Sequence, residues 1–499
     1  MDRTIALGDS GDVALMSDLR PDKVSRANFH KCLESSKHYV RDFYQSLELL
    51  RFENIPARLM SRKPKFLMRD ELIELDRWVQ KRGRHLQIRI HKHNENLIKG
   101  NSDEDVEQVT SRAYRQYSNN DPFPAMNTLT SLKGVGLSRA CLLLSVAYPE
   151  TVPFISDELF KWIFPDRNSE KKRKRDRKDC LHMVNSIISR LTVTAVDIEK
   201  VAFVLHCEDM VAGLRRPGIS KPPGRPIGEG AFGRVYKTRN AMEPGDERDI
   251  AIKHTFKIPS LKRHRLFAEI LDSSLLAKKS PEYFVQFIGW NEDDSSFLLA
   301  MEYIEFGNLK ANLKNIGDSW TQRDTQSVTR QTLEALKVMH SANLTHRDLK
   351  PEVNILVVLN QLGQIRIKIA DFGISKRRSD RGTTFLRTAA GTFEYRAPEI
   401  AKSWKAEQSS TSSFSYTEKV DLWSLGCVIF EMDQKKKLFP DGAPNTWDDG
   451  YDQKLTGELD STGLGQDGIQ LVKQLLHFKA RNRPSAEAAL GSKWLAIGE

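Results

Sequence analysis

Cysteine is scarce in this chain. The five residues, Cys32, Cys141, Cys180, Cys207 and Cys427, are scattered, odd in number and never form a Cys-x-x-Cys pair. That argues against a disulfide-stapled secreted scaffold and against a four-cysteine iron–sulfur site. It predicts reduced thiols in a nuclear or cytoplasmic protein. Long apolar runs are missing as well. No stretch approaches the roughly 18 residues a membrane span needs, and the mean hydropathy is −0.49, so no membrane partner is expected. The first ten residues carry acids and a glycine but no apolar stretch of the kind a secretory signal requires. Strand-like alternation is sparse over the first two hundred residues.

Charge and helical periodicity are plentiful. A chain of 499 residues has room for two or three domains, each with its own core. Of the net charge of +11, most comes from residues 1–220, which hold 37 Lys and Arg against 30 Asp and Glu. An excess this mild permits nucleic-acid binding without requiring it. Residues 1–25 are polar and mixed in charge and are expected to be poorly ordered. Residues 26–213 read as an all-α domain. Val40, Phe43, Tyr44, Leu47 and Leu50 recur at helical spacing, as do Leu72, Leu75 and Trp78. Val106, Val109, Ala113 and Tyr117 follow an Asn101-Ser102-Asp103-Glu104 start that suits a helix cap. Val184, Ile187, Ile188 and Leu191, then Ile198, Val201, Val204 and Leu205, predict two more helices. Residues 214–226 contain four prolines, which block helix and remove backbone donors, so a semi-rigid linker is expected there.

Within the helical region, Leu132-Lys133-Gly134-Val135-Gly136-Leu137-Ser138-Arg139-Ala140 precedes an apolar run to Ala147. It resembles the hairpin of helix-hairpin-helix DNA-binding proteins, in which two glycines let a turn approach a phosphate. That resemblance implies possible DNA contact through residues 1–213. It also puts Asp157 about where glycosylases of that fold carry a catalytic carboxylate, and Ser138 where bifunctional members carry a lysine. A tight structural turn explains the same glycines, and the readings stay open here. The basic run Lys171–Lys178 is either a targeting or phosphate-contacting patch or a solvated loop.

The remaining motifs come in a fixed order. Gly228-Glu229-Gly230-Ala231-Phe232-Gly233-Arg234-Val235 precedes Ile250-Ala251-Ile252-Lys253. Then come His346-Arg347-Asp348-Leu349-Lys350-Pro351-Glu352, Asp371-Phe372-Gly373 and Ala397-Pro398-Glu399. Together they resemble the eukaryotic protein kinase family, and the Asp-Leu-Lys-Pro-Glu wording resembles its serine/threonine branch. The resemblance implies an α+β fold over residues 227–499, with a small β-rich lobe and a large helical lobe. It implies transfer of the ATP γ-phosphoryl group to Ser or Thr hydroxyls of protein substrates, with Mg²⁺.

The roles follow residue by residue from that resemblance. Gly228, Gly230 and Gly233 would cradle phosphates and Val235 would cover the adenine. Lys253, held by Glu269, would bind the α- and β-phosphates. Met301 would back the adenine, with Glu302 and Ile304 offering backbone groups to its edge. Asp348 would orient the substrate hydroxyl and Lys350 steady the γ-phosphate. Asp371 and Asn354 would hold metal. Thr388, with Thr383 and Thr384 behind it, would take an activating phosphate attracted by Arg347, and Thr392 would bond Asp348 and Lys350. Glu399 would pair with Arg483, and Asp421 would brace the catalytic loop. Asn308 stands where kinases of arginine-rich substrates tend to carry an acid, so that preference is not implied.

One position departs from the family's pattern. Asn354 follows Asp348 by six residues instead of five, as though Val353 were inserted. A β-branched residue is a poor choice for a bulge needing positive φ. A tolerated bulge, an inactive site and a mispredicted codon all fit. Two other functional classes therefore stand beside the enzyme: a pseudokinase scaffold, and a nucleic-acid binder with a kinase as effector.

Overall fold

The computed structural model describes residues 4–7, 12–39, 47–81, 96–118, 121–166, 174–230, 233–240, 248–257, 263–342, 344–361, 363–371, 393–400, 417–443 and 449–496. The chain divides into two units, Met1–Gly213 and Leu214–Glu499.

The first unit is built on helices α1 (Arg26–Tyr39), α2 (Ile55–Ser61), α3 (Arg69–Lys81), α4 (Asp103–Gln116), α5 (Phe123–Leu129), α6 (Leu137–Ala147), α7 (Asp157–Ile163), α8 (Lys174–Leu191) and α9 (Ala195–Gly213). The apolar run of α6 is its centre, with every residue from Ala140 to Ala147 buried. Each large apolar side chain so placed contributes about 1.5–3 kcal/mol. Leu72, Leu75 and Trp78 of α3 and Ile198, Val201 and Leu205 of α9 join the same core. Ser102 caps α4 by accepting from Asp105 N–H at 3.0 Å, and Ser156 caps α7 by accepting from Leu159 N–H at 3.1 Å.

The described residues of the first stretch, 4–7 and 12–25, depart from expectation. Strands β1 (Thr4–Leu7) and β2 (Asp12–Leu15) pair antiparallel, so this unit is not purely helical. Leu19 and Val24 are buried. Arg190 donates to the carbonyls of Pro21 and Val24, at 2.6 and 2.8 Å, and the Trp162 indole donates to that of Leu19 at 2.8 Å. Backbone carbonyls captured by side chains from α7 and α8 order a segment whose composition alone predicts none.

The second unit has a small and a large lobe. In the small lobe, β3 (Gly228–Gly230), β4 (Gly233–Arg239), β5 (Asp249–Phe256), β6 (Phe287–Glu292) and β7 (Ser296–Glu302) form one antiparallel sheet in the order β3-β4-β5-β7-β6. Helix α10 (Arg263–Lys279) packs beside β6. The proline-rich segment 214–226 also belongs to this unit. It is not a free spacer, because Arg216 N–H donates to the Trp290 carbonyl at 2.8 Å and Ile219 packs with Ile250, Ile252, Leu298 and Ala300.

The large lobe holds α11 (Leu309–Ile316), α12 (Gln322–Ser341), α13 (Lys419–Gln434), α14 (Asp449–Asp460), α15 (Gly465–Leu475), α16 (Ala486–Leu490) and α17 (Lys493–Ala496). A capping box starts α12: Thr321 and Asp324 satisfy each other's backbone N–H. Buried α13 runs along the lobe's core. A short hairpin, β8 (Ile355–Leu359) with β9 (Arg366–Ile369), pairs Ile355 with Ile369. That register brings the loop before β8 and the loop after β9 to the same end. All five cysteines are buried free thiols, and no helix among the described residues is long and apolar enough to cross a membrane.

Candidate active site

The β8–β9 register explains why Asp348 and Asp371, far apart in sequence, share a site. One lies just ahead of the hairpin and the other just beyond it, and the Ala370 N–H donates to the Asn354 carbonyl at 2.9 Å. Arg347 and Asp371 both have positive φ, +68° and +62°, a conformation that side chains other than glycine adopt only when their surroundings impose it. At Arg347 the imposing group is Asp421, fully buried on α13. Its carboxylate accepts from the N–H groups of His346 and Arg347 at 2.9 and 2.8 Å, and His340 Nε2 lies 2.8 Å away. Burial pushes the Asp421 carboxyl up, but His340, His346 and the Arg347 N–H outweigh it and hold its pKa below the usual carboxylate range.

Lys253 lies on β5 opposite Val235 in the ladder. Its Nζ is 3.0 Å from Glu269 on α10 and 2.6 Å from Asp371. Burial works against a charged Lys253, yet Asp371 and Glu269 overcome it and hold the ammonium pKa above the ordinary lysine value. Burial likewise raises Asp371, and Lys253 more than reverses it, so Asp371 stays an anion. Lys350 Nζ is 3.0 Å from Asp348 Oδ2. The expected catalytic residues Asp348, Lys350, Lys253 and Glu269 thus form two contiguous charged groups.

Val353 resolves outward. Its side chain is 46% exposed, and it is not among the positive-φ residues, so the bulge needs none of the strain expected for valine. Asn354 stays buried. Its Nδ2 donates to the Asp348 carbonyl at 2.7 Å and its Oδ1 accepts from Lys350 N–H at 2.8 Å. An amide oxygen has a second lone pair, so Asn354 and Asp371 are the residues that could hold Mg²⁺, which takes one or two protein ligands plus phosphate oxygens. No cluster of three or more His, Cys, Asp or Glu metal donors occurs among the described residues.

Of the three loop glycines, Gly233 is required by packing, because a Cβ there would sit 2.0 Å from the His254 carbonyl oxygen. At Gly228 the nearest atom to such a Cβ is 3.9 Å away, and Gly230 pairs with Gly233. Met301 packs against Val285, Ile304 and Ala370, just ahead of Asp371. Glu302 N–H donates to the Gln286 carbonyl at 2.9 Å. Arg483, fully buried, grips Glu399 through two bonds of 2.6 and 2.9 Å. The candidate phosphorylation residue Thr388, its neighbours Thr383 and Thr384, and Thr392 lie outside the described residues.

Sequence reasoning missed a cluster around Glu352, in the loop that carries Asp348. The Tyr395 hydroxyl donates to Glu352 at 3.0 Å and to Glu431, while Lys310 Nζ lies 2.7 Å from Glu352 and 3.4 Å from Glu431. Burial, then Glu431 and Glu352, push the Tyr395 phenol far up. Four separated segments supply these groups, so no local pattern reveals them.

In the helical unit, the hairpin's polar backbone is used internally. Asn101 accepts from the Lys133 N–H at 2.8 Å and donates to its carbonyl at 3.0 Å. Gly134 has φ of +77°, and a Cβ there would meet Ile98 at 2.8 Å. The turn's positive φ and this packing together account for the glycine. Ser138 accepts from Arg177 at 3.2 Å, and Asp157 is the exposed first residue of α7.

The family model described as "Protein kinase domain" matches residues 223–495. The chain is 31% identical over 283 residues to serine/threonine-protein kinase cds1 of Schizosaccharomyces pombe, covering 54% of this chain and 57% of that protein. It is 29% identical over 282 residues to serine/threonine-protein kinase RAD53 of Saccharomyces cerevisiae, covering 54% of this chain and 32% of that one. It is 30% identical over 312 residues to mitogen-activated protein kinase 4a of Physcomitrium patens, covering 55% and 77%. The chain thus spans just over half of the first of these relatives and about a third of the second.

Proposed function

We propose, from the premise that this chain belongs to the protein kinase family, that it transfers the γ-phosphoryl group of ATP to Ser or Thr hydroxyls of protein substrates. The observation that carries this is the intact Lys253–Glu269 and Lys253–Asp371 pairing beside an Asp348–Lys350 pair, with the extra Val353 turned out to solvent.

The chain's residues divide the work. Glu269 fixes the long Lys253 side chain in one geometry, so its ammonium meets the α- and β-phosphates preorganised. Asp348 accepts a hydrogen bond from the incoming hydroxyl and orients its lone pair at phosphorus, while Lys350 shares charge with the transferring group. Asp421 holds the loop backbone that presents Asp348. Asp371 and Asn354 would hold Mg²⁺, which when bound would neutralise phosphate charge.

Phosphate incorporation from labelled ATP tests the reading. The chain as written is expected to phosphorylate itself or a general protein substrate, and Asp371→Ala to fall on the order of a hundredfold or more. If the chain as written transfers no phosphate to any such acceptor, the scaffold reading replaces this one.

A further inference from the structure

Residues Leu214–Ile219 are anchored to the small lobe in three ways within six positions. First, they extend the sheet. Trp290 N–H donates to the Leu214 carbonyl at 3.3 Å and Arg216 N–H to the Trp290 carbonyl at 2.8 Å, so Arg215 pairs in parallel with Trp290. Without this pairing β6 would be a bare edge of the sheet. Second, one side chain clamps the segment as it turns. Asn291 donates to the carbonyls of Pro217 and Ile219 at 3.1 and 2.9 Å and accepts from Arg215 Nε at 3.1 Å. Third, Ile219, 2% exposed, closes over Ile250, Ile252, Leu298 and Ala300 on a face of the sheet. Gly289 permits the close approach, since a Cβ there would fall 2.6 Å from Arg216 Cγ. Pro217 ends the pairing because it has no N–H to donate.

Trp290 works on both sides of this contact. Its backbone holds the segment, and its buried ring meets Phe267 of α10 edge to face, with centroids 5.1 Å apart. Leu266, Phe267 and Ile270 are all buried, which fixes how α10 lies against the sheet. Glu269 is two residues beyond Phe267 on this helix and reaches Lys253 at 3.0 Å. A close-packed helix moves as a body. What sets Phe267 therefore sets the Glu269 carboxylate.

We infer that Leu214–Ile219 is a positioning strap for Glu269, acting through Trp290 and Phe267. It contributes none of the residues assigned to the site, yet it holds the helix that orients the phosphate-binding lysine. The inference rests on the kinase reading for its effect on rate, and on packing alone for its effect on α10.

The test uses the full chain in four forms: wild type, Asn291→Ala with Ile219→Ala, Glu269→Gln, and all three substitutions together. Asp294→Ala, in the neighbouring turn, serves as a control. The readouts are kcat and KM for ATP with a general protein substrate, amide hydrogen exchange over 266–271, and the melting curve. The strap variant is expected to lose on the order of tenfold in kcat/KM for ATP and to exchange faster over 266–271, while the control matches wild type. Added to Glu269→Gln, the strap substitutions should lower kcat/KM by less than about twofold further, because both act on one interaction. Losses that simply multiply would mean general destabilisation and would overturn the strap. So would unchanged kcat/KM in the strap variant. If the wild type transfers no phosphate, the kinase reading fails, and exchange over 266–271 still decides the strap: unchanged protection sinks it.

Discussion

Val353 and Gly233 show how single residues meet the site's geometry from opposite directions. Val353 is surplus to the turn between Asp348 and Asn354 and is carried on its outer side, so the Asn354 bonds survive. Val353→Asp should therefore change stability by no more than about 0.5 kcal/mol, as surface substitutions usually do, and should leave phosphate transfer in place; a denaturant melt and a transfer assay check both. Gly233 has no such slack. A methyl group at this position would overlap a strand carbonyl, and backbone cannot swing aside as a side chain can. Gly233→Ala should separate β4 from β5 at their loop end and raise KM for ATP on the order of tenfold or more, while Gly228→Ala, with open space around it, should do far less. Steady-state kinetics of the two variants side by side would decide this, and equal effects would contradict it.

Asp421 joins elements, because its carboxylate ties α13 to the loop after α12. The pH dependence follows from its depressed pKa. The folded state binds the Asp421 proton more weakly than the unfolded chain, where a carboxyl titrates near about 3.9. The stabilisation is therefore present above that pH and is lost as acid protonates the folded carboxyl. Asp421→Asn places an amide NH₂ or a single oxygen where two backbone donors converge, and should cost about 2–3 kcal/mol. It should also flatten the acid limb of the stability curve between about pH 5 and pH 2. Urea titrations of both proteins across that range measure it, and parallel pH profiles would refute the assignment. At this scale the sequence was most legible where chemistry and spacing coincide. Lys253, Asp348, Asp371 and the Glu399–Arg483 pair lie in short motifs whose residue types have few other uses together. The helices around Leu75, Val106 and Val184 were legible from periodicity, since one face of each enters the core. The Leu214–Trp290 pairing was not. It joins residues 76 positions apart, and four prolines in the first partner's segment read as spacer. The β1–β2 hairpin was also missed, because strands of four residues carry too little alternation to register.

Over the whole molecule, the two units have separate hydrophobic interiors. One is drawn from residues between Leu19 and Leu205, and the largest of the other unit from residues between Leu276 and Leu495. Calorimetry should show two unfolding transitions. A non-hydrolysable ATP analogue with Mg²⁺ should raise only one, by about 2.7 kcal/mol at a hundred times its dissociation constant. A single transition that shifts as a whole would contradict independent folding. The buried thiols supply a second, chemical record of the same events. Burial pushes Cys32 up to about 12 and Cys141 to about 11, and raises Cys427 as well, so these three present almost no thiolate to an alkylating reagent while folded. Four of the five cysteines belong to the first unit and Cys427 alone to the second. The protein therefore carries its own stopwatch. Under a pulse of maleimide, mass would be gained in one step of four and one step of one, timing each unit's opening with no label engineered in.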